Sequence, residues 1–192
     1  DTSSRILNHL ANICEFPVNV VSLTGGVNYY LPNTRSSIFN AKLYLTPAPL
    51  LMASEDIVKA MEQEPSVKQI RHMATLAQMS IVGIGGVDSN ATLLTNGTLN
   101  HSDVLLLSMQ GAVGDMLCHF IDKDGNVIQS SLERRLMSTP LEQLKEMNNS
   151  IGVAGGSTKS EAILAALKGN YLDVLITDEA TATNVLRLKN QE

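Results

Sequence analysis

The residues of this chain with the most chemical potential are a lysine and an aspartate set among glycines. Lys159 follows Gly155-Gly156-Ser157-Thr158, where an apolar run gives way to a helical pattern. In the first turn of a helix a cation opposes the helix dipole, at a cost of about 0.3–1 kcal/mol. A lysine kept there is either solvated or faces an anion, such as a phosphate or carboxylate, lying between it and the helix. Thr158-Lys159-Ser160-Glu161 fits a capping box, which predicts that helix start. Asp115 ends the stretch "GAVGD" among small apolar residues. A carboxylate in such surroundings is either a satisfied turn residue or an acceptor for ligand hydroxyls.

Paired glycines close three apolar runs: Gly25-Gly26 after "VVSLT", Gly85-Gly86 after "SIVGI" and Gly155-Gly156 after "IGVA". Glycine lets backbone approach a ligand, and an N–H exposed there is a donor for an anion. One such pair is ordinary turn chemistry. Three at strand ends predict a pocket shared along one sheet edge, with Ser157 beside it. Tyr29 and Tyr30 offer rings that could stack on a ligand or stand as loop aromatics. The patterns G-x-x-x-x-G-K-[ST], G-x-G-x-x-G and G-x-S-x-G do not occur, so nucleotide binding and a nucleophile elbow lack support. His9, His72, His101 and His119 never fall three or four residues apart. No metal and no cofactor is expected.

The elements that must position these residues are legible as periodicities. "SRILNHLANI" (4–13) has helical spacing, and Thr2 or Ser3 could cap it. A helix at the outset with no strand feeding it predicts that the chain is cut within a strand–loop–helix unit. Strands are predicted at 18–23, 42–49, 79–86, 151–156 and 173–177, and helices at 36–41, 54–63, 67–78, 101–109, about 157–169 and 178–188. Thr139-Pro140-Leu141-Glu142 carries a cap, a proline at the first helical position and an acid. "DKDGNV" (122–127) predicts a hairpin into "VIQS". Apolar strands without alternation, separated by helices, predict an open, mostly parallel α/β sheet with helices on both faces.

Composition sets the outer bounds. A chain of 192 residues can bury about 70% of its unfolded surface in one core. The formal net charge is −5 and no Lys/Arg-rich run occurs, so this segment has no electrostatic footprint for nucleic acid. Cys14 and Cys118, far apart in apolar surroundings, read as buried free thiols of a reducing compartment. No apolar stretch approaches a membrane span and no signal peptide is visible, which predicts a cytoplasmic protein without a membrane partner.

Taken together, "LTGGV", "TPAPLLMAS", "IVGIGGV", "GAVGDMLCHFIDKDG", "IGVAGGSTKSEAILAALKG" and "LITDEATATNVL" resemble the effector-binding domain of the SorC family of bacterial transcriptional regulators, over essentially the whole chain. The resemblance implies a Rossmann-like sheet similar to ribose-phosphate isomerase and glucosamine-phosphate deaminase. It implies that residues 1–192 form a sugar- or phosphosugar-binding domain, that a helix-turn-helix module for DNA is absent from this chain, and that the protein is a homodimer or homotetramer. It places a ligand-hydroxyl acceptor on Asp115, a phosphate- or hydroxyl-contacting lysine on Lys159, and a ligand contact on Thr24. The end of the family's phosphate loop falls on Thr2. Some members carry arginine at the Thr24 position, which suits a phosphosugar; this chain does not. The rival reading is a phosphosugar isomerase or deaminase, since fold does not decide function. Such an enzyme needs a general base with an acid–base partner, and no motif supplies a partner for Asp115.

Overall fold

The computed structural model describes residues 17–26, 41–87, 92–95 and 97–191, with Arg5, Ile6, His9 and Ile13 ahead of them. Those four are helical, in keeping with the expected first helix; the helix expected at 36–41 lies outside the described residues save Ala41, which begins a strand. The chain divides into two compact units, Asp1–Ala77 with Arg135–Thr139, and Gln78–Arg134 with Pro140–Glu192.

In the first unit β1 (Val18–Val21) and β2 (Ala41–Tyr44) form a parallel pair, Val18 opposite Ala41. Just beyond them the buried Ser22 hydroxyl accepts from the Thr46 amide at 2.8 Å. Helix α1 (Glu55–Gln63) starts at Ser54, whose hydroxyl accepts from the Ile57 amide, with Glu55 and Asp56 in the first turn to suit the dipole. Helix α2 (Pro65–Thr75) opens on proline, where the missing N–H is harmless. Val67 of α2 is fully buried with Ala48, Met52 and Met137, and Val58 and Met61 of α1 close over them.

Arg71 of α2 ties this unit to its last segment. Its guanidinium donates to the Thr139 hydroxyl at 2.6 Å, the Ser138 carbonyl at 2.9 Å and the Glu62 carboxylate at 2.8 Å. Its side chain is only 13% exposed, so truncation strands several acceptors away from water. Arg71→Met is expected to cost about 3 kcal/mol. Urea unfolding followed by circular dichroism checks this; a loss under ~1 kcal/mol would mean that solvent replaces the guanidinium.

The second unit is built on a five-stranded sheet in the order β5-β4-β3-β6-β7. Its strands are β3 (Ser80–Gly86), β4 (Ala112–Met116), β5 (His119–Asp122), β6 (Ser150–Val153) and β7 (Val174–Ile176). β6 runs parallel to both β3 and β7, whereas β4 is antiparallel to β3 and β5. The helices are α3 (Thr92–Thr95), α4 (His101–Met109), α5 (Leu141–Lys145), α6 (Ser160–Lys168) and α7 (Glu179–Lys189). α6 buries Ala162, Ile163, Leu164, Ala165 and Ala166 against β3, β4 and β5, and α7 packs on α6. The approach is close because Gly114 of β4 lacks a side chain; a Cβ there would overlap Ala162.

The expected α/β architecture holds, and several local expectations are corrected. Only two of the three glycine-ended strands, β3 and β6, are neighbours in one sheet; β1 belongs to the two-stranded pair of the first unit. The bond from the Ile128 amide to the Phe120 carbonyl closes the expected return after Asp122, with Ile121 opposite Val127. A tighter hairpin, β4 to β5 through Leu117 and Cys118, carried no sequence signal, because both residues sit at left-handed φ (51° and 69°) without being glycine. Thr139 does not cap α5: Pro140 holds the cap position, the Gln143 and Leu144 amides bond to its carbonyl, and the Thr139 hydroxyl accepts from Arg71. The capping box at 158–161 does not form either, because a 3-10 turn over Ser157–Lys159 precedes α6 and puts Lys159 itself at the cap.

Candidate functional site

Asp115 lies on β4 directly opposite Gly85 of β3. A Cβ at Gly85 would overlap Asp115 Oδ1, so the glycine exists here to let the carboxylate lie across the neighbouring strand. Oδ2 accepts from the Cys118 amide at 3.3 Å, which the left-handed turn directs back toward it. Two bulky residues at positive φ store strain, and the carboxylate they help to hold is the return on it.

Asp115 is half-buried. Burial pushes its carboxyl up to about 6, against the opposing pull of the Cys118 N–H, Lys159 and His119. The folded state therefore holds this proton more tightly than the unfolded chain. The resulting stabilisation is full below the unfolded value near 4 and is lost as pH rises through about 6. At neutral pH the ionised carboxylate works against the fold. Asp115→Asn is expected to raise stability at pH 7 by about 2 kcal/mol, and the gain should vanish below about pH 4. Thermal melts of both proteins from pH 4 to 8 read this directly; parallel curves would refute it. The Cys118 thiol is likewise pushed up by burial and by the Asp115 carboxylate, as suits an unreactive thiol. Cys14 lies outside the described residues.

Lys159 stands where the 3-10 turn becomes α6, its amide bonded to the Gly156 carbonyl at 3.0 Å. Its charge bears on Asp115, and among the described residues its ammonium makes no hydrogen bond or ion pair. Gly156 has φ +105°, a backbone that favours glycine. Its amide is already engaged, by the Thr181 hydroxyl at 2.8 Å and Asp178 Oδ2 at 3.1 Å. A Cβ at Gly155 would stand 2.6 Å from that same Asp178 oxygen. The Gly156 N–H is thus a fastener for the turn rather than a ligand donor. Asp178 also accepts from the Thr181 amide and hydroxyl, and these bonds hold its carboxyl below the usual range.

The other sequence-derived positions fall as follows. Gly86 pairs with Gly114 inside the sheet. In the first unit Thr24 bridges to Ser138, the Gly25 amide donates to the Met137 carbonyl at 2.7 Å, and the Gly26 amide to Ala48 at 2.9 Å. The Gly25 amide holds the returning 135–139 segment and the Gly26 amide the 48–49 turn, and the Pro49 carbonyl leaves no room for a Cβ at Gly25. Thr2, Tyr29 and Tyr30 lie outside the described residues. The second unit accordingly brings together Asp115, Lys159, Gly85 and the 155–157 turn. Sequence reasoning missed the Asp178–Thr181 clamp, although an Asp three residues before Thr at a helix start is a readable cap. It also missed the buried His119–Glu133 pair, Nδ1 to Oε1 at 2.7 Å, which no local pattern announces.

A half-buried carboxylate within reach of a lysine's charge, where β4 meets β3, is an arrangement able to hold a polar small molecule. This chain belongs to the family described as "Putative sugar-binding domain", whose model matches residues 1–187. Among curated relatives, the transcriptional regulator LsrR of Klebsiella pneumoniae is 35% identical over 98% of this chain and 59% of its own length. LsrR of Escherichia coli K12 is 37% identical over 88% of this chain and 55% of its own. The chain thus spans less than two thirds of the length of these relatives. Among solved structures, a DeoR family transcriptional regulator from Listeria monocytogenes superposes with TM-score 0.85 at 21% identity, covering 96% of this chain and 76% of that one. The full-length sorbitol operon regulator SorC of Klebsiella pneumoniae gives TM-score 0.76 at 24% identity, covering 90% and 60%. These two likenesses show a shared fold. Among the described residues no helix is long and apolar enough to cross a membrane.

Proposed function

We propose that this chain is the effector-binding domain of a bacterial transcriptional regulator and takes a sugar or phosphosugar at Asp115 and Lys159. The observation that carries this reading is their juxtaposition: a carboxylate laid over Gly85 as hydroxyl acceptor, and a lysine whose charge reaches it. Gly85 and the 155–157 turn frame that site within the second unit. The protein acts in the cytoplasm as a homodimer or homotetramer, since paired operator half-sites call for two-fold symmetry. DNA is read by a helix-turn-helix module outside this chain, and ligand binding alters how that module is presented. The regulator names of the relatives support this reading over an isomerase or deaminase.

The test is calorimetric titration of the 192-residue chain with a panel of monosaccharides and their phosphates. At least one is expected to bind with micromolar affinity, without being isomerised or deaminated on prolonged incubation. Turnover of any panel member would overturn the regulator reading.

A further inference from the structure

A cavity of about 450 Å³ opens in the second unit between the 124–129 loop, α5 and the end of α6. None of Asp115, Lys159 or the paired glycines lines it. Its volume falls within the roughly 300–1,000 Å³ of small-molecule sites. The lining that matters is His119, Glu133, Glu142, Lys145, Lys168 and Tyr171.

The wall is charged, yet its charges are largely matched. His119 is 4% exposed and pairs with Glu133. Lys145 pairs with Glu142 at 2.9 Å and lies 4.7 Å from the centre of the Tyr171 ring. Lys168 Nζ rests on the Lys123 carbonyl at 3.3 Å. Tyr171 is 2% exposed and fixed by its hydroxyl, which donates to the Gly125 carbonyl at 2.6 Å. A largely buried polar pair such as His119–Glu133 is costly to desolvate, and apolar residues of similar size would stabilise a core at least as well. Here the pair faces a cavity, where it offers fixed hydrogen-bonding atoms at the wall. Because the wall carries both acids and bases, a phosphate would meet Glu133 and Glu142 along with the lysines. An uncharged molecule with adjacent hydroxyls can donate to the carboxylates and accept from the lysines at once.

We propose that this cavity is a second ligand site, separate from the Asp115–Lys159 site, that binds an uncharged polyol of monosaccharide size. The probes are D-glucose, D-xylose and xylitol, with D-glucose 6-phosphate as the charged counterpart. Each is titrated into the isotope-labelled 192-residue chain and followed by amide NMR. At least one neutral probe is expected to give saturable shifts at Asn126, Gln129, Lys145 and Lys168. Glu133→Gln should weaken that binding by about tenfold or more, and so should Gln129→Ala, an exposed substitution that leaves the fold intact. Asp115→Ala, which should weaken a neutral sugar held at the effector site, should leave this binding unchanged. That comparison separates this site from the effector site, so failure of one reading does not decide the other. Lack of saturation with every neutral probe at tens of millimolar, shifts unaltered by both lining variants, or binding of the phosphate alone would overturn the proposal.

Discussion

Lys159→Ala is expected to weaken a phosphorylated sugar by about 1.5–3 kcal/mol, roughly 10- to 150-fold in Kd, while an unphosphorylated sugar changes little. The reasoning starts from the ammonium, which forms no ion pair among the described residues and has Asp115 as its acknowledged electrostatic neighbour. A phosphate brought beside it gains a charge-assisted bond that a neutral ligand cannot use. Asp115→Ala should instead weaken phosphorylated and free sugars alike, because its partner is a hydroxyl. The carboxylate also makes binding pH-dependent. A hydroxyl donates to the ionised form, so the affinity of both ligand types should fall as pH drops below about 6, approaching tenfold per unit. Calorimetry of both variants between pH 5 and 8, with melts to confirm folding, gives the answer. Unchanged affinity in both variants places the effector elsewhere.

Gly85→Ala should abolish effector binding almost as fully as removing the carboxylate, though position 85 carries no polar side chain. The added Cβ occupies the place of Asp115 Oδ1, so the carboxylate must rotate away or the β3–β4 pairing must part. Overpacking of this kind costs about 1–3 kcal/mol of stability. The distinguishing measurement is a double-mutant cycle. With Asp115→Ala in place the clash is gone, so Gly85→Ala should then cost little and the two changes should be strongly non-additive. Additive losses would show that Gly85 serves the strand rather than the carboxylate.

The sequence made Gly85 conspicuous for a reason only partly right. A glycine pair after an apolar run suggests backbone exposed to a ligand, at Gly25 and Gly155 as much as at Gly85. In the folded chain each glycine of the three yields to a neighbour: the Asp115 carboxylate at Gly85, the Pro49 carbonyl at Gly25 and the Asp178 carboxylate at Gly155. Sequence patterns report that a side chain is not tolerated. They do not report what occupies its place.

What the sequence determined by itself was most of the helices and the parallel strands, and it singled out two charged residues, Asp115 and Lys159, as candidates. Helices α1, α2 and α6 and strands β3 and β6 follow from apolar period, caps and proline, all of which act within a few residues. Asp115 and Lys159 stand out because a charge amid glycine and small apolar residues is locally anomalous. What only the tertiary structure decided is long-range. It set β1 in a different sheet from β3 and β6, laid the Asp115 carboxylate over Gly85, gave the Gly156 amide to Asp178 and Thr181, and buried His119 against Glu133. Strand order depends on which surfaces best bury one another across the whole chain, and an amide's partner depends on which acceptor that packing delivers. Neither quantity is encoded at a fixed spacing, so no window along the sequence contains it.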